Sequence, residues 1–154
     1  MKLTCAKIGL SVEVKQELLD ELYKTGMKYY PKEFGGLLIG YYSEDFKTCF
    51  IETTILPKKY KSSRYFFERE KEGLKLNLTK FYNSIPRLIY VGEWHTHPDG
   101  IPSPSGTDIN AMIEIGESDD VNIENPLLLI LGINPSKMDV GAYVYSKNKL
   151  LRYE

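Results

Sequence analysis

Residues 34–42 limit this chain's folding more than any other segment. They form a nearly continuous apolar run, FGGLLIGYY, whose only interruptions are Gly35, Gly36 and Gly40. A short apolar run bearing glycines reads as a buried strand whose backbone passes close to something else. On either side of it the patterning alternates. Residues 2–10 read as a first strand, with Ser11 placed as a helix N-cap. Val14, Leu18 and Leu22 recur at i, i+4 and i+8, which predicts a helix over about 12–30, closed by Pro31. Residues 48–56 are β-rich, 57–63 read as a basic loop, and 64–67 as a short strand.

Leu74, Leu78, Phe81 and Tyr82 predict a second helix over about 68–84, and residues 88–94 a strand after Pro86. Residues 98–106 hold three prolines and two glycines, which excludes regular structure there. A short helix carrying Ile109, Met112 and Ile113 should follow. Strands at 127–133, 140–145 and 150–153 complete the pattern, with the last turn at Asn148 and Lys149. Helices set between groups of strands, without repeat or linker, predict a single α/β (α+β) domain over residues 1–154.

Composition narrows the function classes. Twenty basic against 21 acidic residues leave a net charge of -1, which offers no electrostatic footprint for nucleic acid; the 58–64 patch is local. No stretch approaches 18 apolar residues, and residues 1–10 do not resemble a signal peptide, so the expected location is the cytoplasm, with no membrane contact. Cys5 and Cys49 each lie in an apolar, strand-like stretch and read as buried thiols without a disulfide framework. The 12 tyrosines and single tryptophan can supply an apolar docking patch, but Tyr143 and Tyr145 alternate with Ala142 and Val144 as core strand residues do.

Both histidines of the chain fall in Glu93-Trp-His95-Thr-His97-Pro98. In a strand, i and i+2 side chains point to one side, so two imidazoles can aim at one point. Asp108 follows eleven residues after His97, and a His₂Asp set with an open fourth position is a catalytic zinc pattern. Such a site needs a base. Glu33, at the entry to the apolar strand, and Glu93, beside the histidines, both qualify, and spacing does not choose between them. Ser105 has two readings as well. It can head a capping box with Asp108, or it can donate a hydrogen bond to a developing oxyanion. A nucleophilic Ser105 would lack a histidine to activate it.

Taken together, Glu33 with Gly36-Leu37-Leu38-Ile39-Gly40, His95-Thr-His97-Pro98 and Ser105-Gly-Thr-Asp108 resemble the JAMM motif of the JAB/MPN metalloprotease family. That resemblance implies a cytidine deaminase-like MPN/JAB domain, a central mixed β-sheet flanked by helices. It implies one catalytic Zn2+ held by His95, His97 and Asp108, with Glu33 as general acid/base and Ser105 stabilising the tetrahedral intermediate. The string Gly92-Glu-Trp-His-Thr-His-Pro, followed by Ile101-Pro-Ser-Pro-Ser, is most similar to compact JAB proteases of bacterial CBASS antiphage defence operons.

The implied activity is zinc-dependent isopeptidase or peptidase cleavage at the C-terminal tail of a ubiquitin-like protein. The resemblance equally implies the tail of a conjugated CD-NTase, a cyclic-oligonucleotide synthase attached by an E1/E2-like enzyme. Two alternatives carry the same resemblance: a processing protease for a ubiquitin-like sulfur-carrier protein, and a noncatalytic MPN scaffold. A zinc deaminase would want a Cys-rich ligand set, and neither cysteine lies near the histidines in sequence. The resemblance implies that residues 58–64 and 114–124 are small versions of the loops that grip linkage-specific ubiquitin chains in eukaryotic relatives, so linkage selectivity is not expected.

Overall fold

A computed structural model describes residues 1–154. The elements run β1 (Lys2–Cys5), β2 (Leu10–Val14), α1 (Gln16–Tyr29), β3 (Gly35–Tyr42), β4 (Thr48–Ile55), β5 (Tyr60–Ser63) and β6 (Phe66–Arg69). They continue with α2 (Leu74–Tyr82), β7 (Ile89–Pro98), α3 (Gly106–Glu117), β8 (Leu127–Asn134), β9 (Lys137–Ser146) and β10 (Lys149–Arg152). Eight strands form one mixed sheet in the order β1-β2-β4-β3-β7-β8-β9-β10, while β5 and β6 make a separate hairpin. β2 and β4 are parallel, as are β7 and β8; the other neighbours are antiparallel.

Side-chain alternation divides the sheet into two faces. On one face Leu18, Leu19 and Leu22 of α1 pack with Val12, Leu38, Trp94, Leu129 and Leu131 in the main core. On the other face α2 supplies Leu74 to Leu37, Ile39 and Ile55. There α3 supplies Met112 to Leu128, Ile130, Tyr143 and Tyr145. α2 also covers the start of β7, through Tyr90, and α3 covers β8 and β9, so it is the later part of the outer face of β7 that opens between two helices.

A β-bulge decides what that opening contains. Leu38 pairs with Gly92 and Ile39 with Tyr90, which leaves Val91 as the extra residue of β7. Val91 and Trp94 therefore both join the α1 face, although an unbulged strand would put them on opposite sides. Glu93, His95 and His97 consequently turn away from α1.

Several elements differ from the sequence reading. The first strand is a hairpin, β1 and β2, turned at Gly9 with φ +67°. Ser11 is not a cap: it lies in β2, and its hydroxyl is 3.0 Å from that of Thr4. α1 starts at Gln16, and Lys15 at its N-cap gives the helix no side-chain cap, its ammonium pairing with Glu52 instead. Val14 fitted the helical period because β2 and α1 feed the same core. Residues 60–63 pair with 66–69, so the expected basic loop is half strand and α2 starts only at Leu74. β7 runs through Pro98, which places both histidines inside it.

Candidate metal centre

The centre is assembled from the end of β7 and the start of α3. His95 and His97 share the outer face of β7, with Nε2 atoms 3.1 Å apart. Asp108 brings Oδ1 to 3.3 Å from His95 Nε2 and Oδ2 to 3.6 Å from His97 Nε2. Zinc bonds of about 2.0–2.1 Å at tetrahedral angles place neighbouring donors about 3.3 Å apart. Two imidazole nitrogens and a carboxylate at these separations fit such an ion.

Donor chemistry supports the same fit. His97 Nδ1 lies 3.0 Å from the Ile101 carbonyl, which can only accept. Nδ1 therefore carries the proton in neutral His97, and Nε2 keeps its lone pair toward the cluster. Burial pushes the Asp108 carboxyl up, but hydrogen bonds from His95 and His97 outweigh it and hold the group well below the usual range. Burial lowers the His97 imidazole, yet Asp108, the Ile101 carbonyl and Glu33 together raise it.

Asp108 reaches the cluster because α3 begins where it does. Ser105 is the N-cap, and it forms a reciprocal capping box with Asp108 at the third helical position. Its backbone N–H donates to Asp108 Oδ2 at 2.6 Å, and the Asp108 N–H donates to Ser105 Oγ at 3.2 Å. The competing readings of this pair are thus compatible at Asp108, whose carboxylate caps the helix and also borders the cluster.

Glu33 stands between α1 and β3. Its N–H donates to the Ser63 carbonyl at 2.8 Å, and its own carbonyl accepts from the Ser62 hydroxyl. The next residue, Phe34, bonds Thr96 of β7 through both backbone groups. Burial raises the Glu33 carboxyl, against the pull of His95 and His97. Glu33, His97, Ser105 and Asp108 line one cleft of about 360 Å³, together with Arg64–Phe67 and Pro98–Gly100. His95 sits behind them, 8% exposed.

Glu93 is held elsewhere. It forms an ion pair with Arg69 of β6 and accepts from the Tyr90 hydroxyl at 3.0 Å. Cys5 and Cys49 are buried free thiols outside the cluster. Sequence reasoning missed Asp99, which accepts from Tyr30 at 2.9 Å and from Arg64 at 2.8 Å across the cleft. No local pattern marks a contact between residues so distant in sequence. No helix is long and apolar enough to cross a membrane.

Residues 15–143 match the family of prokaryotic homologs of the JAB domain, Prok-JAB, and the chain belongs to that family. It is 38% identical over 140 residues to a CD-NTase/cGAS isopeptidase of Enterobacter hormaechei, covering 90% of this chain and 72% of that protein. A Pseudomonas aeruginosa protein of the same name is 40% identical over 78 residues, 49% of this chain and 48% of that one. The solution structure of protein DSY2949 from Desulfitobacterium hafniense superposes with a TM-score of 0.68 at 17% identity, over 92% of this chain and 88% of the other.

Proposed function

We propose that this protein is a zinc-dependent isopeptidase that releases a CD-NTase from its conjugates, reversing the attachment made by an E1/E2-like enzyme in antiphage defence. The observation that carries the proposal is the meeting of Glu33 with His97, Asp108 and Ser105 in one cleft. The name of the 38% identical relative supports the choice of bond and substrate. The substrate is the C-terminal tail of the CD-NTase, or of a ubiquitin-like protein, lying extended in the cleft, and the reaction is assigned to the cytoplasm.

His95, His97 and Asp108 would hold the ion. Bound zinc polarises a carbonyl and brings the pKa of water to about 7. Glu33 accepts the proton of the attacking water and delivers it to the leaving amine. A carboxyl raised by burial suits both transfers, because its affinity for the proton moves toward neutrality. Ser105 lies at the cleft wall, and its hydroxyl, once turned from Asp108, donates to the carbonyl oxygen as charge develops. Asp108, held ionised by its neighbours, stays a ligand and exchanges no proton.

The test uses a purified CD-NTase conjugate, the wild-type protein and Glu33→Ala, with cleavage followed by mass spectrometry and zinc by elemental analysis. Wild type should cut directly after the CD-NTase C-terminus. Glu33→Ala should keep one zinc and lose turnover. Full activity in Glu33→Ala, or loss of its zinc, would overturn the assignment of Glu33. Cleavage of a sulfur-carrier fusion in place of the CD-NTase conjugate would replace the substrate, and zinc binding without any cleavage would make the protein a scaffold.

A further inference from the structure

We propose that Ser105 is a positioning residue for the metal centre, one that sets metal affinity through Asp108 and couples it to the first turn of α3. The inference rests on the metal-site reading above and adds a role that Ser105 performs before any substrate arrives.

Proton bookkeeping at Ser105 carries the argument. Its hydroxyl has one proton. The Asp108 N–H points at Ser105 Oγ from 3.2 Å and occupies one of its lone pairs. The hydroxyl itself donates to Asp108 Oδ2 at 2.7 Å. The hydroxyl proton is therefore directed at Oδ2. The Ser105 backbone N–H donates to that oxygen too, at 2.6 Å. Oδ2 thus receives two donors from one residue, and Oδ1 is left 3.3 Å from His95 Nε2. Turning the carboxylate out of this orientation would break both bonds. Ser105 sets the orientation in which the carboxylate meets the cluster.

The Ser105 carbonyl is also committed, accepting the Ile109 N–H at 3.1 Å as α3 begins. Every polar group of Ser105 serves the start of this helix, and the helix start presents a metal ligand. Partners that orient a ligand from outside the coordination sphere typically change metal affinity by about 10–100-fold when removed. Coupling is reciprocal: an ion that fixes Asp108 also fixes the first turn of α3. One proton cannot bond Asp108 and an oxyanion together, so the positioning role and the transition-state role alternate in time.

The experiment measures Zn2+ affinity by competition with a chromophoric chelator, without substrate, for wild type, Ser105→Ala, Ser105→Gly and Ser105→Thr. Amide hydrogen exchange over residues 106–109 is followed with and without Zn2+. Ser105→Ala and Ser105→Gly should bind Zn2+ about 10–100-fold more weakly. Ser105→Thr keeps the hydroxyl and should stay near wild type. Zn2+ should slow exchange over 106–109 in wild type by a larger factor than in Ser105→Ala. Glycine is nearly as good an N-cap as serine, so Ser105→Gly removes the hydroxyl with little effect on the helix if the alanine variant does not fold. Wild-type affinity in both hydroxyl-free variants, with only kcat reduced, would overturn the proposal and leave Ser105 a transition-state donor alone. A wild-type protein that binds no Zn2+ would overturn the metal-site reading and this inference together.

Discussion

Glu33 and Asp108 are carboxylates on one cleft with opposite departures from ordinary behaviour, and the cause differs for each. At Glu33 burial dominates and raises the group; at Asp108 the neighbouring imidazoles overcome burial and lower it. For metal-free protein this gives a prediction with a definite sign. A folded pKa above the unfolded one contributes stability below the unfolded value, and that contribution disappears as pH rises through the folded pKa. Glu33→Gln has no such loss. Its melting temperature in chelator should therefore gain on wild type steadily as pH rises from about 4 to about 8. A difference that stays constant across the range would show that Glu33 is not desolvated.

The clustering of His95, His97 and Asp108 was legible in the sequence because its geometry is local: two imidazoles at i and i+2 in a strand, then an acid at a helix start. The choice between Glu33 and Glu93 was not legible from spacing. What removes Glu93 from the cluster is Arg69, 24 residues away on a hairpin that the residue pattern half concealed.

At the scale of elements, the contact that matters most for the site is β3 against β7. Gly35 pairs with His95, and a Cβ at Gly35 would lie 2.1 Å from the Trp94 carbonyl oxygen and 2.8 Å from the His95 Cβ. Both atoms belong to the strand that carries the histidines, so this glycine permits the close approach anticipated for the 34–42 run. Gly35→Ala must push β7 outward at His95. The expected result is a loss of about 1–3 kcal/mol of stability, by analogy with other overpacked sites, and weaker Zn2+ binding than in wild type. Calorimetry and chelator competition would check both. Unchanged affinity would mean that β7 yields without moving His95. The bulge at Val91 explains why the facing of this strand could not be read from alternation. One extra residue reverses parity, and no residue type in the sequence announces it. Likewise, a helix start near Ser11 followed from a real pattern, but strand β2 and helix α1 contribute to one core and so continue one periodicity.

Across the whole molecule, the cleft exists because an independent hairpin is held against the main sheet. β5 and β6 are bonded to the Glu33 backbone through Ser62 and Ser63, and Phe67 packs edge-on to Phe34 at 5.6 Å. At the tip, Arg64 reaches Asp99, which follows the histidine strand directly and also receives the Tyr30 hydroxyl. Asp99 adopts φ +56°, a conformation uncommon for aspartate, and its N–H donates to Ile133 at 2.8 Å, so its backbone is fixed by the sheet. The tip therefore meets a partner whose backbone is fixed. Both side chains of the pair are well exposed, so breaking it should scarcely change the melting temperature. Its effect should fall on how the hairpin wall meets an extended tail. Arg64→Glu or Asp99→Arg alone sets like charges across the cleft and should raise KM for the conjugate by roughly fivefold, with kcat nearly retained. The double variant restores opposite charges with the order reversed and should recover most of that loss. High salt should shrink the differences among all four proteins, because exposed charges are screened within about 10 Å at 0.1 M. Equal KM values in the single variants, or no recovery in the double, would show that the wall is held by Ser62, Ser63 and Phe67 without help from its tip.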